Sequence, residues 1–114
     1  MNIPGFGDMQ GMLQKMQDMQ QKIARVQNEL EHKTVNAESG GGMVKVTANG
    51  RQKILQITIE RDLLGADDGD MLEDLIVAAV NKAIADSQAL SQAEMAKATS
   101  GLLPNIPGLT LPGF

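Results

Sequence analysis

The glycine cluster that follows Ser39 is the first candidate for chemistry, because successive glycines occur in phosphate-binding loops. Such a loop needs a strand before it, and Gly-Lys-Ser/Thr with a helix N-terminus after it. Here a strand pattern follows the glycines, and that tripeptide is absent. We therefore interpret residues 39–42 as a plain turn.

Acidic residues and a single histidine are the candidates for metal binding or catalysis. Asp67, Asp68 and Asp70 lack the spacing and the closing Glu of an EF-hand loop. We interpret them as acids that offset a helix dipole, with Asp70 and Glu73 as a capping box. His32 has no evident nucleophile or second ligand, and the chain has no cysteine. We therefore expect no enzymatic activity, no metal, no cofactor and no small-molecule substrate.

Basic residues in the first third of the chain are candidates for phosphate contact. On a helix, Lys22 would lie about 20° from Lys15, and Arg25 about 80° from it. The three cations would therefore share one face. The alternative interpretation is a solvated flank with ion pairs, such as Asp18 with Lys22 at i, i+4.

The element that positions these cations is a predicted helix from about residue 9 to residue 32, with Asp8 as its N-cap. Apolar residues recur in alternating steps of three and four, which is typical of a helix-packing seam. The seam comprises Met9, Met12, Met16, Met19, Ile23, Val26 and Leu30. We expect it to pack against the later helix, a second copy of the chain, or both. An adaptable methionine-rich binding surface is the alternative.

Three short strands are predicted next, over residues 34–39, 43–48 and 51–60. Asn49-Gly50 is typical of a two-residue hairpin turn, which predicts pairing of Val44 with Leu55, of Val46 with Lys53 and of Ala48 with Arg51. The turn end of this hairpin would be basic, since that register groups three further phosphate-contact candidates there. These are Lys45, Arg51 and Lys53.

The alternating apolar residues of the hairpin are the predicted core and dimer contacts. They are Val44, Val46, Leu55, Ile57 and Ile59. Three strands cannot cover two long helices, whereas a sheet continued across a two-fold axis would cover more surface and remove an exposed edge.

A loop over residues 61–69 and a second long helix over about 71–100 complete the predicted fold. An alanine-rich stripe on this helix permits close packing, and Gly101 is its predicted stop. The fold class is α+β: long helix, three-stranded antiparallel meander, long helix. Residues 1–7 are predicted as a loop, 8–101 as the domain, and 102–114 as a Pro/Gly-rich tail.

Charge and hydropathy limit the possible partners. The net charge is −4, and residues 67–114 carry seven acidic but only two basic side chains. Any nucleic-acid binding must therefore use a local basic patch. No apolar run approaches the ~20 residues needed to cross a bilayer, and the N-terminus does not resemble a signal peptide. We expect a cytoplasmic protein without membrane contact.

Several segments resemble the YbaB/EbfC family of bacterial nucleoid-associated proteins. They are GGGMVKVTANG, QITI and LLGADDGDMLEDLIVAAVNKAIADS. The glutamine- and methionine-rich first helix and the Gly/Pro-rich tail fit as well. The resemblance covers about residues 8–101.

The resemblance implies a sheet-centred homodimer with projecting helices that binds DNA at the nucleoid with little sequence preference. The resemblance also implies that the first and last helices contact DNA. The basic residues of this chain at the corresponding helices are Lys15, Lys22, Arg25, Lys82 and Lys97. With 2% aromatic residues, stacking on single strands is disfavoured, so double-stranded DNA is the expected partner. The alternative function is a protein-interaction module whose methionine-rich helix binds a replication or recombination partner.

Overall fold

A computed structural model describes residues 6–65 and 67–100. It confirms the α+β class and the order of the long elements. The elements are α1 (Phe6–His32), β1 (Thr34–Ser39), a 3₁₀ turn (Gly40–Gly42), β2 (Val44–Asn49), β3 (Ile54–Ile59), α2 (Arg61–Leu64) and α3 (Gly69–Thr99). The chain divides into two compact units, one of residues 29–91 and one of the segments on either side of it.

The core of the 29–91 unit lies between the antiparallel sheet β1-β2-β3 and the first half of α3. Alternate residues of β2 face this core, and Val44 and Val46 are fully buried. Ala79 and Ala83 of α3 are also fully buried, since their small side chains let the helix approach the strands closely. The alanine-rich stripe therefore packs as the sequence predicts.

The hairpin register differs from the predicted one. Val44 pairs with Ile59 and Val46 with Ile57, and a bulge lies between Thr47 and Ala48. The predicted pairings of Val44 with Leu55 and of Val46 with Lys53 are therefore wrong, as is that of Ala48 with Arg51. Consequently β3 begins at Ile54, and residues 50–53 form a four-residue loop.

The side chain of Asn49 explains this longer loop. Its Oδ1 accepts the backbone N–H groups of Arg51 at 2.9 Å and of Lys53 at 3.0 Å. Its own backbone N–H donates to the Lys53 carbonyl at 2.9 Å. The left-handed conformation falls on Gln52, with φ of 67°. Asn49 thus acts through side-chain hydrogen bonds that organise the loop around it.

Gly50 packs this loop against the end of α1. Its N–H donates to the carbonyls of Leu30 at 2.8 Å and of Lys33 at 2.9 Å. A Cβ at Gly50 would lie 2.6 Å from Leu30 Cδ2 and 2.9 Å from the Leu30 oxygen. The Asn49 Nδ2 also donates to the Glu31 carbonyl at 3.3 Å. Glycine is therefore required here by close approach, and these bonds satisfy carbonyls that the end of a helix leaves unpaired.

Two serines tie α3 to the sheet. The buried Ser87 Oγ donates to the Asn49 carbonyl at 2.6 Å and accepts the N–H of Gln52 at 3.0 Å. At the opposite end of β2, the Ser39 Oγ donates to the Leu75 carbonyl at 2.6 Å. The sheet is thus bonded to α3 at two points, the last residue of β1 and the last residue of β2.

The helix boundaries correct four local predictions. Helix α1 begins at Phe6, so Asp8 lies within it and is not its N-cap, and residues 6 and 7 are not loop. The predicted loop 61–69 contains the short helix α2. Helix α3 begins at Gly69, and its cap is Asp68, whose Oδ1 accepts the Met71 N–H at 3.2 Å. Asp68, which directly precedes the first residue of α3, therefore caps the helix, and the predicted cap Asp70 lies inside it. The predicted stop at Gly101 and the tail 102–114 lie outside the described residues.

The glycine cluster forms a turn, as predicted. Gly40, Gly41 and Gly42 all have positive φ, a conformation that favours glycine. A Cβ at Gly40 would lie 2.8 Å from Met43 Cε. The positive φ angles therefore favour glycine throughout the turn that connects β1 to β2, and a Cβ at Gly40 would also require the Met43 side chain to shift.

β3 is an edge strand of the described sheet, and much of it is exposed. Ile59 is half-buried, but Leu55 is 49% and Ile57 42% exposed. Ile57 pairs with buried Val46, yet it lies at the open margin of the sheet. Leu55 is the extra residue of the bulge, because its two neighbours in β3 pair with Thr47 and Ala48 and Leu55 has no partner in β2. This strand therefore presents apolar side chains on an edge that has no neighbouring strand in the described sheet.

Burial increases along the heptad seam of α1. Met9, Met12 and Met16 are 57–62% exposed, whereas Met19 and Ile23 are half-buried. The last two seam residues, Val26 and Leu30, are buried. The first turns of the seam thus remain uncovered within the described chain.

Candidate nucleic-acid interface

One group of candidate cations lies on a single face of α1, as the helical spacing predicts. Lys22 and Arg25 line an open groove of about 220 Å³ together with Asp18 and Gln21. Lys15 is exposed on the same helix, about 10 Å earlier along the axis, but it does not line the groove.

The cations of this groove have no ion-pair partner in the part of the chain that the structure describes. In particular, Asp18 forms no ion pair with Lys22, so the i, i+4 pair of the alternative interpretation is absent from the described residues. The backbone positions of Lys22 and Arg25 are separated by about 4.5 Å along the axis of α1. Two exposed cations at this spacing can contact oxygens of neighbouring phosphates.

Lys97 has a partner on its own helix. Its Nζ lies 3.9 Å from Glu94 Oε1, and its side chain is 77% exposed. An exposed pair at this distance contributes little, so Lys97 can exchange this carboxylate for a phosphate. Lys97 belongs to the same compact unit as the first 28 residues.

Lys82 lies in the other unit, in a groove on the polar side of the sheet. The groove is open, with a volume of about 390 Å³. Its lining comprises Asn36, Ala37, Glu38, Lys45, Thr47, Thr58 and Lys82. Two cations that are 37 positions apart in sequence therefore share one groove.

The position of Lys45 corrects the predicted hairpin tip. Lys45 is the second residue of β2 and pairs with Thr58, about 13 Å along the strand from Asn49. Arg51 and Lys53 lie in the loop at the other end and are exposed. The three cations therefore do not form one basic tip, because the four-residue loop shifts the register.

Acidic residues are concentrated near the start of α3. Five of the seven acids after residue 66 fall between Asp67 and Asp74, and they precede Lys82 by at least eight positions. In the described residues, no group of three or more acidic or histidine side chains is arranged to hold a metal ion. No described helix combines the length and hydropathy required to span a membrane.

Residues 6–102 match the model of the YbaB/EbfC DNA-binding family. A nucleoid-associated protein of Thermoanaerobacter pseudethanolicus is 47% identical over 107 residues, covering 94% of this chain and 95% of the relative. One from Syntrophobacter fumaroxidans is 48% identical over 102 residues, covering 90% and 91%.

A solved structure shares the fold. The crystal structure of an uncharacterized protein from Helicobacter pylori superimposes with a TM-score of 0.68 at 21% identity. The match covers 87% of this chain and 100% of that one. At this identity, the similarity supports the fold alone.

Proposed function

Because the chain belongs to the YbaB/EbfC DNA-binding family, we propose that it binds duplex DNA at the bacterial nucleoid, as a homodimer with little sequence preference. The contacts are made by cations of the two long helices: Lys15, Lys22, Arg25, Lys82 and Lys97. The observation that carries this proposal is the open groove of α1, where Lys22 and Arg25 are free of ion pairs within the described residues.

The binding free energy comes mainly from phosphate contact and the release of counterions. Such contacts position a protein on DNA without reading its sequence. The chain has two aromatic residues, at positions 6 and 114, so stacking on unpaired bases contributes little. The acids near the start of α3 must face away from the duplex, which restricts how the protein can dock.

The homodimer forms through the edge of the sheet at β3. This strand is uncharged from Ile54 to Ile59, and exposed Leu55 and Ile57 supply apolar area. Antiparallel pairing of two β3 strands satisfies backbone groups that an edge leaves open. A two-fold axis then duplicates each group of cations, which increases affinity through simultaneous contact.

Titration of unrelated duplexes at several salt concentrations tests DNA binding. We expect similar affinities for different sequences and a steep, linear fall of log K with log salt concentration. The double variant Lys22→Gln/Arg25→Gln should lower the slope by about 2 per protomer that contacts DNA. Arg51→Gln/Lys53→Gln is the matched control, with the same loss of charge in the hairpin loop. Equal slopes for both variants would exclude the α1 groove.

Light scattering of Leu55→Asp tests the dimer. Leu55 is exposed within one protomer, so the charge should leave helix content unchanged but prevent assembly, since it would be buried at the interface. The control is Gln56→Asp, the neighbouring residue of the same strand. A Leu55→Asp protein that remains dimeric would refute pairing through β3.

The exposed methionines support a second candidate function, a protein-interaction module. Met9, Met12, Leu13 and Met16 form an uncovered apolar segment on α1, and flexible methionines adapt to varied partner helices. A partner retained after nuclease treatment and high salt, but lost in Met12→Gln/Met16→Gln, would support this function. Unchanged retention in that variant would exclude this surface.

A further inference from the structure

We propose that the polar side of the sheet is a second phosphate-contact surface, on which Lys45 and Lys82 bind the backbone of duplex DNA and Glu38 limits the affinity. This inference rests on the proposed function, because it assigns a further contact to the same ligand. The surface, which we term the sheet groove, is lined by Asn36, Ala37, Glu38, Lys45, Thr47, Thr58 and Lys82.

The hydrogen bonds of the sheet groove leave it rich in donors. Thr47 Oγ1 donates to Asn36 Oδ1 at 2.8 Å, so the amide Nδ2 of Asn36 has no protein partner among the described residues. Thr58 Oγ1 accepts from Gln56 Nε2 at 3.4 Å, which leaves its own hydroxyl proton for another acceptor. With the ammonium group of Lys45, these side chains provide three kinds of donor for phosphate oxygens.

The strand register holds these donors in a fixed arrangement. Asn36 is the cross-strand partner of Thr47, and Lys45 that of Thr58. Groups mounted on adjacent paired strands keep their spacing without help from a ligand. Lys82 adds its charge from α3, whose neighbouring residues Ala79 and Ala83 are fully buried against the core. The backbone therefore needs no ordering when phosphate binds, and the entropy cost falls on the exposed side chains alone.

Glu38 places one negative charge among the two positive charges. It is the cross-strand partner of Lys45. The Glu38 Oε2 and the Lys45 Cε both lie 3.6 Å from the position that a Cβ on Gly42 would occupy. No ion pair within 4.0 Å joins the two side chains in the described structure. The carboxylate thus lies near Lys45 and would repel a phosphate that approaches this lysine, so it should weaken binding.

An ordinary solvated strand face would have a different response to substitution. Its lysines would contribute to DNA affinity only through net charge, as would any exposed cation elsewhere on the protein. Removal of the Glu38 charge would likewise change the DNA affinity by as much as removal of the charge of any other exposed acid. The comparison of matched charge changes inside and outside the sheet groove therefore distinguishes a site from a solvated face.

The experiment measures the salt dependence of duplex binding for variants of the full chain. We expect Lys45→Gln, which leaves every helix cation in place, to reduce the slope of log K against log salt by about 1 per bound protomer, and Lys53→Gln to reduce it less. Glu38→Gln should raise affinity several-fold, and Glu31→Gln, which changes an exposed acid on α1, should have a smaller effect. All these side chains are exposed, and circular dichroism checks that each variant is folded.

The outcomes separate this inference from the proposed function. If the wild-type protein fails to bind duplex DNA even at low salt, the proposed function and this inference both fall. If the wild type binds and Lys22→Gln/Arg25→Gln weakens it, equal effects of Lys45→Gln and Lys53→Gln overturn the sheet groove alone. If Glu38→Gln raises the affinity for duplex DNA no more than Glu31→Gln does, the proposed role of Glu38 is overturned.

Discussion

The two ends of α1 carry the same heptad pattern but have different surroundings. At one end, Leu30 is 1% exposed, and its carbonyl accepts the N–H of Gly50. At the other end, Met12 is 62% exposed. The pattern thus specifies which face of the helix is apolar, but it does not specify what covers that face. Coverage depends on distant residues, here the loop of residues 50–53 that follows Asn49.

Leu30→Ala provides the most severe test of this difference. We expect it to lower the free energy of unfolding by about 3 kcal/mol, since a buried leucine is replaced by a cavity. The same change at exposed Leu13 should cost less than about 1 kcal/mol. Urea denaturation of both variants at one protein concentration gives the two values. Equal losses would show that the ends of α1 are equivalently packed.

Gly50→Ala tests whether close approach holds the covered end together. A Cβ would lie 2.9 Å from the Leu30 carbonyl oxygen, and backbone must move to admit it. We expect a loss of about 2 kcal/mol in unfolding free energy. Gly65→Ala is the control, because a Cβ there would meet nothing within 4 Å. A thermal denaturation midpoint as high for Gly50→Ala as for Gly65→Ala would contradict the steric account.

Ser87→Ala tests the support of the loop by α3. Loss of the hydroxyl leaves the Asn49 carbonyl and the Gln52 N–H without this partner. We expect a cost of about 1.5 kcal/mol, in the range for unsatisfied buried groups. Ser91→Ala on the same helix, where no hydroxyl hydrogen bond is formed within the described residues, should be neutral by the same denaturation assay.

Met12→Gln/Met16→Gln has the smallest expected effect. Both side chains are exposed, so unfolding free energy should change by less than about 0.5 kcal/mol. The measurement is chemical denaturation, together with light scattering. A loss above 2 kcal/mol that depends on protein concentration would mean that a second copy covers this end of α1 as well.

Periodicity and composition were sufficient to predict the element order and much of the core. The steps of three and four identified α1, and strand alternation correctly identified Val44 and Val46 as core residues. These signals depend on the residue's own element, so they can be read from sequence. The same periodicity placed Lys15, Lys22 and Arg25 on one helical face.

The hairpin register could not be predicted, because Asn49-Gly50 carries the same local signal for two different loops. The tight turn would need only these two residues. The observed loop depends on Leu30 and Ser87, which are 19 and 38 positions from Asn49 in the sequence. The shift of register also moved Lys53 from the predicted position opposite Val46 to one opposite Asn49, away from Lys45. Lys45 instead shares a groove with Lys82 of α3. No feature local to Lys45 could have predicted that neighbour.

The composition of the open edge has a consequence for handling and expression of the protein. The segment Ile54–Ile59 reads ILQITI, with four large aliphatic residues, no charge and no proline. Six-residue segments of this kind are the signature of cross-β aggregation when they are left uncovered. Natural sheets protect such edges with lysines, bulges or a covering element, and here only the bulge at the Leu55 end is present in the strand itself. Association with a second chain would therefore protect the protein from amyloid-like precipitation, and loss of that partner at an unchanged protein concentration should promote it.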